Sequence, residues 1–215
     1  MIKSTLILLG IAACGSASTS PTPSAPASRE MRASEHKAAA MLHAARAAEL
    51  ARISDALGEQ PIKWKDDPKT GLWFRSLSEE RQADAHLAIA AQLETDFRER
   101  CGDLPRELVE VSPLQRFSTG GMPKPNGVIV FLEPAAGPPE RLLRELRCHQ
   151  AWMKLGEAPA AECALEIVGI DLTAYGDATG ISVEIATQDP ASVAELQRRT
   201  QHVIETGRHA QRRGK

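Results

Sequence analysis

Hydrophobic residues recur along this chain in two rhythms. Ile181, Val183 and Ile185 alternate with Ser182 and Glu184, the period of a half-buried strand. Gly127 to Leu132 (GVIVFL) is apolar on both faces, which places that strand centrally or under other elements. Each run opens on Gly and precedes a helix begun by proline. One helix is expected from about Pro139 to Leu155, the other from Asp189, as N-cap to Pro190, to about Thr206. Each run also follows a further strand, Leu108 to Val111 and Ile167 to Tyr175, so the order ββα occurs twice. The Gly120 to Gly127 stretch, with Pro123 and Pro125, reads as a long hairpin connection. The pattern predicts an α+β fold: a duplicated ββα unit over residues 107–207 forms a four-stranded, mostly antiparallel sheet with two helices on one face.

Residues 29–106 read as two helices and a link. From Arg29 to Leu57 the chain is rich in Ala, and Leu42, Leu50, Ile53 and Leu57 share a stripe that Gly58 ends. Ser76 or Ser78 can cap a second helix whose Ala83, Leu87, Ala90, Phe97 and Cys101 share a face. Between them, Trp64, Trp73 and Phe74 flank a polar turn from Asp66 to Gly71, which suggests a hairpin or packed loop. These three aromatics are candidate anchors for a partner.

The first residues carry an address. Met1-Ile2-Lys3 gives one positive charge, followed by the apolar run from Leu6 to Ala13. Such a run, short and ending in small residues, reads as a secretory signal (residues 1–13) rather than a membrane span. Its end, Ile11-Ala12-Ala13-Cys14, resembles the lipobox of bacterial lipoprotein precursors: an aliphatic residue, two small ones and the modified Cys. The resemblance implies cleavage before Cys14 and diacylation of its sulfur. Several acyl chains burying CH₂ groups at about 0.8 kcal/mol each would hold the protein on the membrane. In that family an Asp after the Cys signals inner-membrane retention. Gly15 stands there, which implies an outer-membrane lipoprotein facing the periplasm or the cell surface. Ser16 to Ser28 holds only Ser, Ala, Thr and Pro, so residues 14–28 form the lipidated Cys and a tether.

Composition narrows the function classes. With 42% hydrophobic and 25% charged residues the 215-residue chain is ordinary for a globular protein. Lys and Arg number 26 against 28 Asp and Glu, a net charge of −2 that predicts no broad basic face and no nucleic-acid partner. Residues 208–215 form a basic tail, read as a solvated terminus.

Cysteine chemistry gives the remaining candidates. In an oxidising compartment a disulfide is the default, and Cys148–Cys163 would close a loop of about 15 residues worth about 3 kcal/mol. Cys101 is then left as a buried thiol. Alternatively, Cys148, His149, Met153 and Cys163 offer soft ligands for a metal or thiol-handling site. His149 shares the face of Leu142, Leu146 and Met153 and reads first as a hydrogen-bonded core residue. His149 and His202 are separated by the same interval as Gly127 and Gly180, but helix phase turns His202 towards solvent, so no symmetric ligand pair is expected. His36 and His43 read as a solvated flank, and His86 shows no partner.

No nucleophile elbow, P-loop or dinucleotide loop occurs, so no catalytic residue and no cofactor is expected. The sequence therefore predicts a lipid-anchored envelope protein, a non-enzymatic binding or structural module, whose partner is an unknown envelope protein or ligand.

Overall fold

The computed structural model describes residues 30–58, 68–156, 162–177 and 180–213. The signal segment, Cys14, the tether and Trp64 lie outside them.

The described residues form six α-helices and four strands. Helices α1 (Ala33–Ala56) and α2 (Pro68–Cys101) make a long antiparallel hairpin. Two single-turn helices follow, α3 (Arg106–Glu110) and α4 (Pro113–Phe117). Then come β1 (Ser118–Lys124), β2 (Gly127–Leu132), α5 (Pro139–Met153), β3 (Ile170–Asp177), β4 (Gly180–Thr187) and α6 (Val193–Arg213). The architecture is α+β. Its sheet is wholly antiparallel, in the order β1-β2-β4-β3.

Register assigns the faces. Val128 pairs with Ile185, Val130 with Val183 and Leu132 with Ile181, so these side chains share one side. They form a single core with Leu142 and Leu146 of α5 and Leu196 and Ile204 of α6. The opposite side carries Met122, Phe131 and Tyr175, all substantially exposed. There the Lys124 ammonium is bonded to the Glu184 carboxylate.

Three segments differ from the sequence reading. Leu108 to Val111 is not a strand: residues 106–110 are α3, and Ser112 caps α4 by accepting the Leu114 N–H at 3.3 Å. The first strand lies later, where a hairpin connection was expected. Despite two glycines and Pro123, β1 is tolerated because it is an edge strand. Its glycines have a use, since a Cβ on Gly121 would come within 2.9 Å of Ile204 Cδ1, so α6 can lie close over the sheet. Finally, residues 68–77 belong to α2 and not to a hairpin or loop.

Small residues zip the helical hairpin. Ala33, Ala40 and Ala47 of α1 are buried, and Ser76, Ala83 and Ala90 of α2 face them. Residues at this heptad spacing stay on one side of a helix, and their size lets the backbones approach. Ser76 Oγ donates to the Ala47 carbonyl at 3.1 Å. The leucine stripe read from the sequence points the other way, with Leu42, Ile53 and Leu57 exposed.

The hairpin is fastened to the sheet body at one end. The Ala33 and Ser34 N–H groups donate to the carbonyls of Lys154 and Leu155 at 2.8 and 3.2 Å, so the open start of α1 caps the open end of α5. Arg32 Nε donates to Glu166 Oε1 at 3.1 Å.

Candidate functional site

Two regions present chemistry that the core does not use. The first is a cleft of about 270 Å³ between α3–α4, α5 and α6. Helix α5 supplies His149, Trp152 and Met153, with His149 and Met153 on one line and Cys148 about 100° away. Trp152, Met153 and Val203 form the apolar wall, and Gln115, Glu110 and His202 stand at the rim. His202 Nε2 and Glu162 Oε2 lie 2.9 Å apart.

At the base of the cleft sits a thiol–imidazole pair. His149 is buried, and its Nδ1 lies 2.6 Å from the Val109 carbonyl oxygen. A carbonyl can only accept, so Nδ1 carries the proton and donates. The Nε2 lone pair then faces Cys163 Sγ at 3.8 Å and accepts its S–H. Burial, aided by the Arg116 guanidinium, lowers the affinity of His149 for a second proton, against the Val109 bond that raises it. The imidazole is thereby kept neutral. Burial also pushes the Cys163 thiol up to about 11, with Glu166 adding to the rise and the Leu165 backbone bond and Arg199 opposing it. The pair is therefore SH and imidazole at neutral pH, not thiolate and imidazolium, and lacks the activated sulfur of a nucleophilic cysteine.

The structure corrects the disulfide. Cys148 is bonded to Cys101, and Cys163 is free. The reason lies in packing: α2 ends against α5, so Cys101 meets the side of α5 that carries Cys148, while Cys163 arrives on the side that carries His149. The four-residue metal set is thus divided. His149, Met153 and Cys163 line one cleft, whereas the sulfur of Cys148 is consumed elsewhere. Among the described residues no three His, Cys, Asp or Glu side chains are arranged to hold a metal ion. As helix phase predicted, His202 is solvent-exposed, and it stands only at the rim of the cleft that holds His149.

The second region is the outer surface of the helical hairpin. Trp73 and Phe74 are 54% and 58% exposed and stack edge to face, their ring centres 5.0 Å apart. Further along, Met41 (74% exposed) and Leu87 (49%) border a shallow groove of about 430 Å³ floored by alanines of α1, with Glu80 and Asp84 on its α2 side. Leu42 and Ile89 are exposed as well. The hairpin thus leaves several large apolar side chains in water.

Sequence reasoning missed the rim of the cleft because it took α3 for a strand. The Ser112-Pro113 pair was the available signal, an N-cap followed by proline in the first turn. It also placed His36 and His43 on a solvated flank and left His86 without a partner. In fact His36 Nδ1 lies 2.8 Å from His86 Nδ1, and His43 Nδ1 lies 2.6 Å from Glu79 Oε2.

Searches of family models, of curated proteins and of solved structures found no match to this chain.

Proposed function

We propose that this chain is a cell-envelope lipoprotein, tethered through Cys14, whose folded body is a non-enzymatic module that binds another envelope protein along the outer surface of the α1–α2 hairpin. The observation that carries the reading is the exposure of Trp73, Phe74, Met41 and Leu87 on one helical hairpin. Trp and Phe supply large contact area at small entropic cost, and the alanine-floored groove is of a kind that accepts an amphipathic helix. The lipobox-like Ile11-Ala12-Ala13-Cys14 supports the anchor, and Gly15 after it supports the outer-membrane address.

Duplication of a ββα unit fits the sheet order. The second strands of the two units, β2 and β4, pair antiparallel at the centre, and the first strands, β1 and β3, lie at the edges. Contact of α5 with β3 and of α6 with β1 and β2 supports two helices on one face.

The test is site-directed photo-crosslinking in the native envelope. A crosslinking residue at position 74 or 41 should give a discrete larger species, and one at Tyr175 on the open sheet face should not. Crosslinking from Tyr175 alone would overturn the assignment to the hairpin.

A second reading rests on the 3.8 Å pair. Met153, His149 Nε2 and Cys163 Sγ form a soft set suited to a monovalent coinage-metal ion, which displaces a thiol proton that protons alone retain. Silver(I) titration followed by native mass spectrometry tests it. One ion retained, and lost with Cys163→Ala, favours the reading; none retained removes it.

A further inference from the structure

The hairpin seam holds a row of titratable side chains that neither binding reading uses. His36 and His43 stand about two turns apart on α1, and Glu79 and His86 about two turns apart on α2. Antiparallel packing interleaves them. The His36 and His86 rings lie 5.1 Å apart with their Nδ1 atoms in contact at 2.8 Å. The ring of His43 stacks on His86, 5.5 Å between centres and 14° between planes. Its Nδ1 reaches Glu79 at 2.6 Å. His36 is buried, and the side chains of His43 and Glu79 are 15% and 23% exposed. Lys37 on the flank is bonded to Glu94.

Two ring nitrogens at hydrogen-bond distance need one proton between them, one as donor and one as lone-pair acceptor. Counting protons gives the consequence. With both rings neutral the contact holds. It also holds when one of the two rings is an imidazolium donating to its neutral neighbour. When both are imidazolium, two N–H groups face each other and two cations touch in a seam of alanines. The ring of His43, held by Glu79, stacks on His86 and leaves that ring no room to turn away.

We propose that the His36–His86 contact, braced by His43 and Glu79, is a proton-operated latch of the α1–α2 hairpin: it closes with at most one extra proton on the pair and opens when both rings are protonated. The rest of the molecule permits such an opening. Beyond its fastened start, the buried apolar residues of α1 on α2 are alanines, each contributing little apolar burial. Opening would bare Ser76 and Ala83 of α2 while the sheet body stays folded.

The sign follows from proton counting. Imidazoles change charge between about pH 5 and 8. Only the parted helices accommodate two protonated rings at the 2.8 Å contact, so acid favours opening.

Hydrogen exchange of the full chain tests the proposal. Amide exchange in Ala40–Ala47, corrected for the intrinsic rate, should accelerate at least about tenfold from about pH 7 to about pH 5. Amides of β4, which report on the sheet body, should lose protection only through the slope that His149→Gln removes, and less than Ala40–Ala47 does. His86→Gln and, independently, His36→Gln should abolish the acceleration, because a neutral amide can still bond to the remaining ring. His43→Gln should retain it. Equal α1 protection at both pH values, or the same acceleration in both glutamine variants, would overturn the latch.

Discussion

Cys101, the last residue of α2, is disulfide-bonded to Cys148 in the middle of α5, a link spanning 47 residues of sequence. It joins the end of α2, beside the fastened start of α1, to the sheet body, in which both cysteines are buried. In the chain-entropy model a loop of this length is worth about 4 kcal/mol. Cys101→Ala should therefore lower the stability of the body by about that amount in a denaturant titration. Reductant should lower the native chain's stability comparably and leave Cys101→Ala unaffected. Peptide mapping that found Cys148 joined to Cys163 would contradict the account.

Gly207 lies inside α6 because of what passes over it. A Cβ there would stand 2.3 Å from the backbone oxygen of Gln115 in α4, closer than real contacts allow. Gly207→Ala must push the two helices apart, at a cost of about 1–3 kcal/mol. Glu205→Ala, at an exposed position on the same helix, should stay within about 0.5 kcal/mol. Thermal unfolding of the two variants makes the comparison, and equal losses would refute the close-packing explanation.

The thiol of Cys163 should be slow to react. A value of about 11 leaves only about a thousandth of it ionised near pH 8, against roughly a quarter of an ordinary thiol. Alkylation by iodoacetamide in the native state should be at least about a hundredfold slower than in denaturant, and should climb with pH beyond 9. Comparable rates in the two states would show a reactive, exposed sulfur.

His149 gives a stability effect in the opposite part of the scale. Its affinity for a proton is lowered in the folded state, chiefly by burial, so the unfolded chain binds more protons below about pH 6.5. Its contribution is complete above that value and is lost as pH falls. Global unfolding measured between about pH 7 and 5 should show this slope, and His149→Gln should flatten it. A slope left unchanged by that substitution would place the acid sensitivity elsewhere.

Removing the exposed rings should affect binding more than folding. Trp73→Ala and Phe74→Ala each lose one edge-to-face contact, worth about 0.5–1.5 kcal/mol, on a surface already in water. Stability should change by no more than that, while crosslinking from position 41 should fall at least tenfold. A variant that unfolds the hairpin would show these rings to be structural.

The legible parts of the fold were those where one residue type forces one outcome. Alternation in Ile181–Ile185 marked β4, and proline starts marked α5 and the approach to α6. What was missed depended on neighbours far along the chain. Edge position, not local propensity, makes a strand of β1, whose Gly120, Gly121 and Pro123 look like a loop. The helix expected to end near Thr206 continues through Gly207 to Arg213, with Arg208 bonded to the Thr119 carbonyl, and the Gln115 backbone that requires this glycine lies in another element. The α1–α2 seam is made of alanines, so its buried side is less hydrophobic than its exposed one and the periodicity pointed outward. For the cleft, three of the four soft ligands named from sequence converge. The pairing of Cys148 was not readable, because cysteine spacing does not fix connectivity.

Everything proposed about a partner in the envelope presumes that the mature protein hangs from its modified cysteine. Intact mass spectrometry of the detergent-extracted protein measures this directly. The account predicts a chain beginning at Cys14, heavier than its peptide mass by a diacylglyceryl group and an amide-linked acyl chain. A chain that retains residues 1–13, or one that begins at an unmodified Cys14, would contradict it.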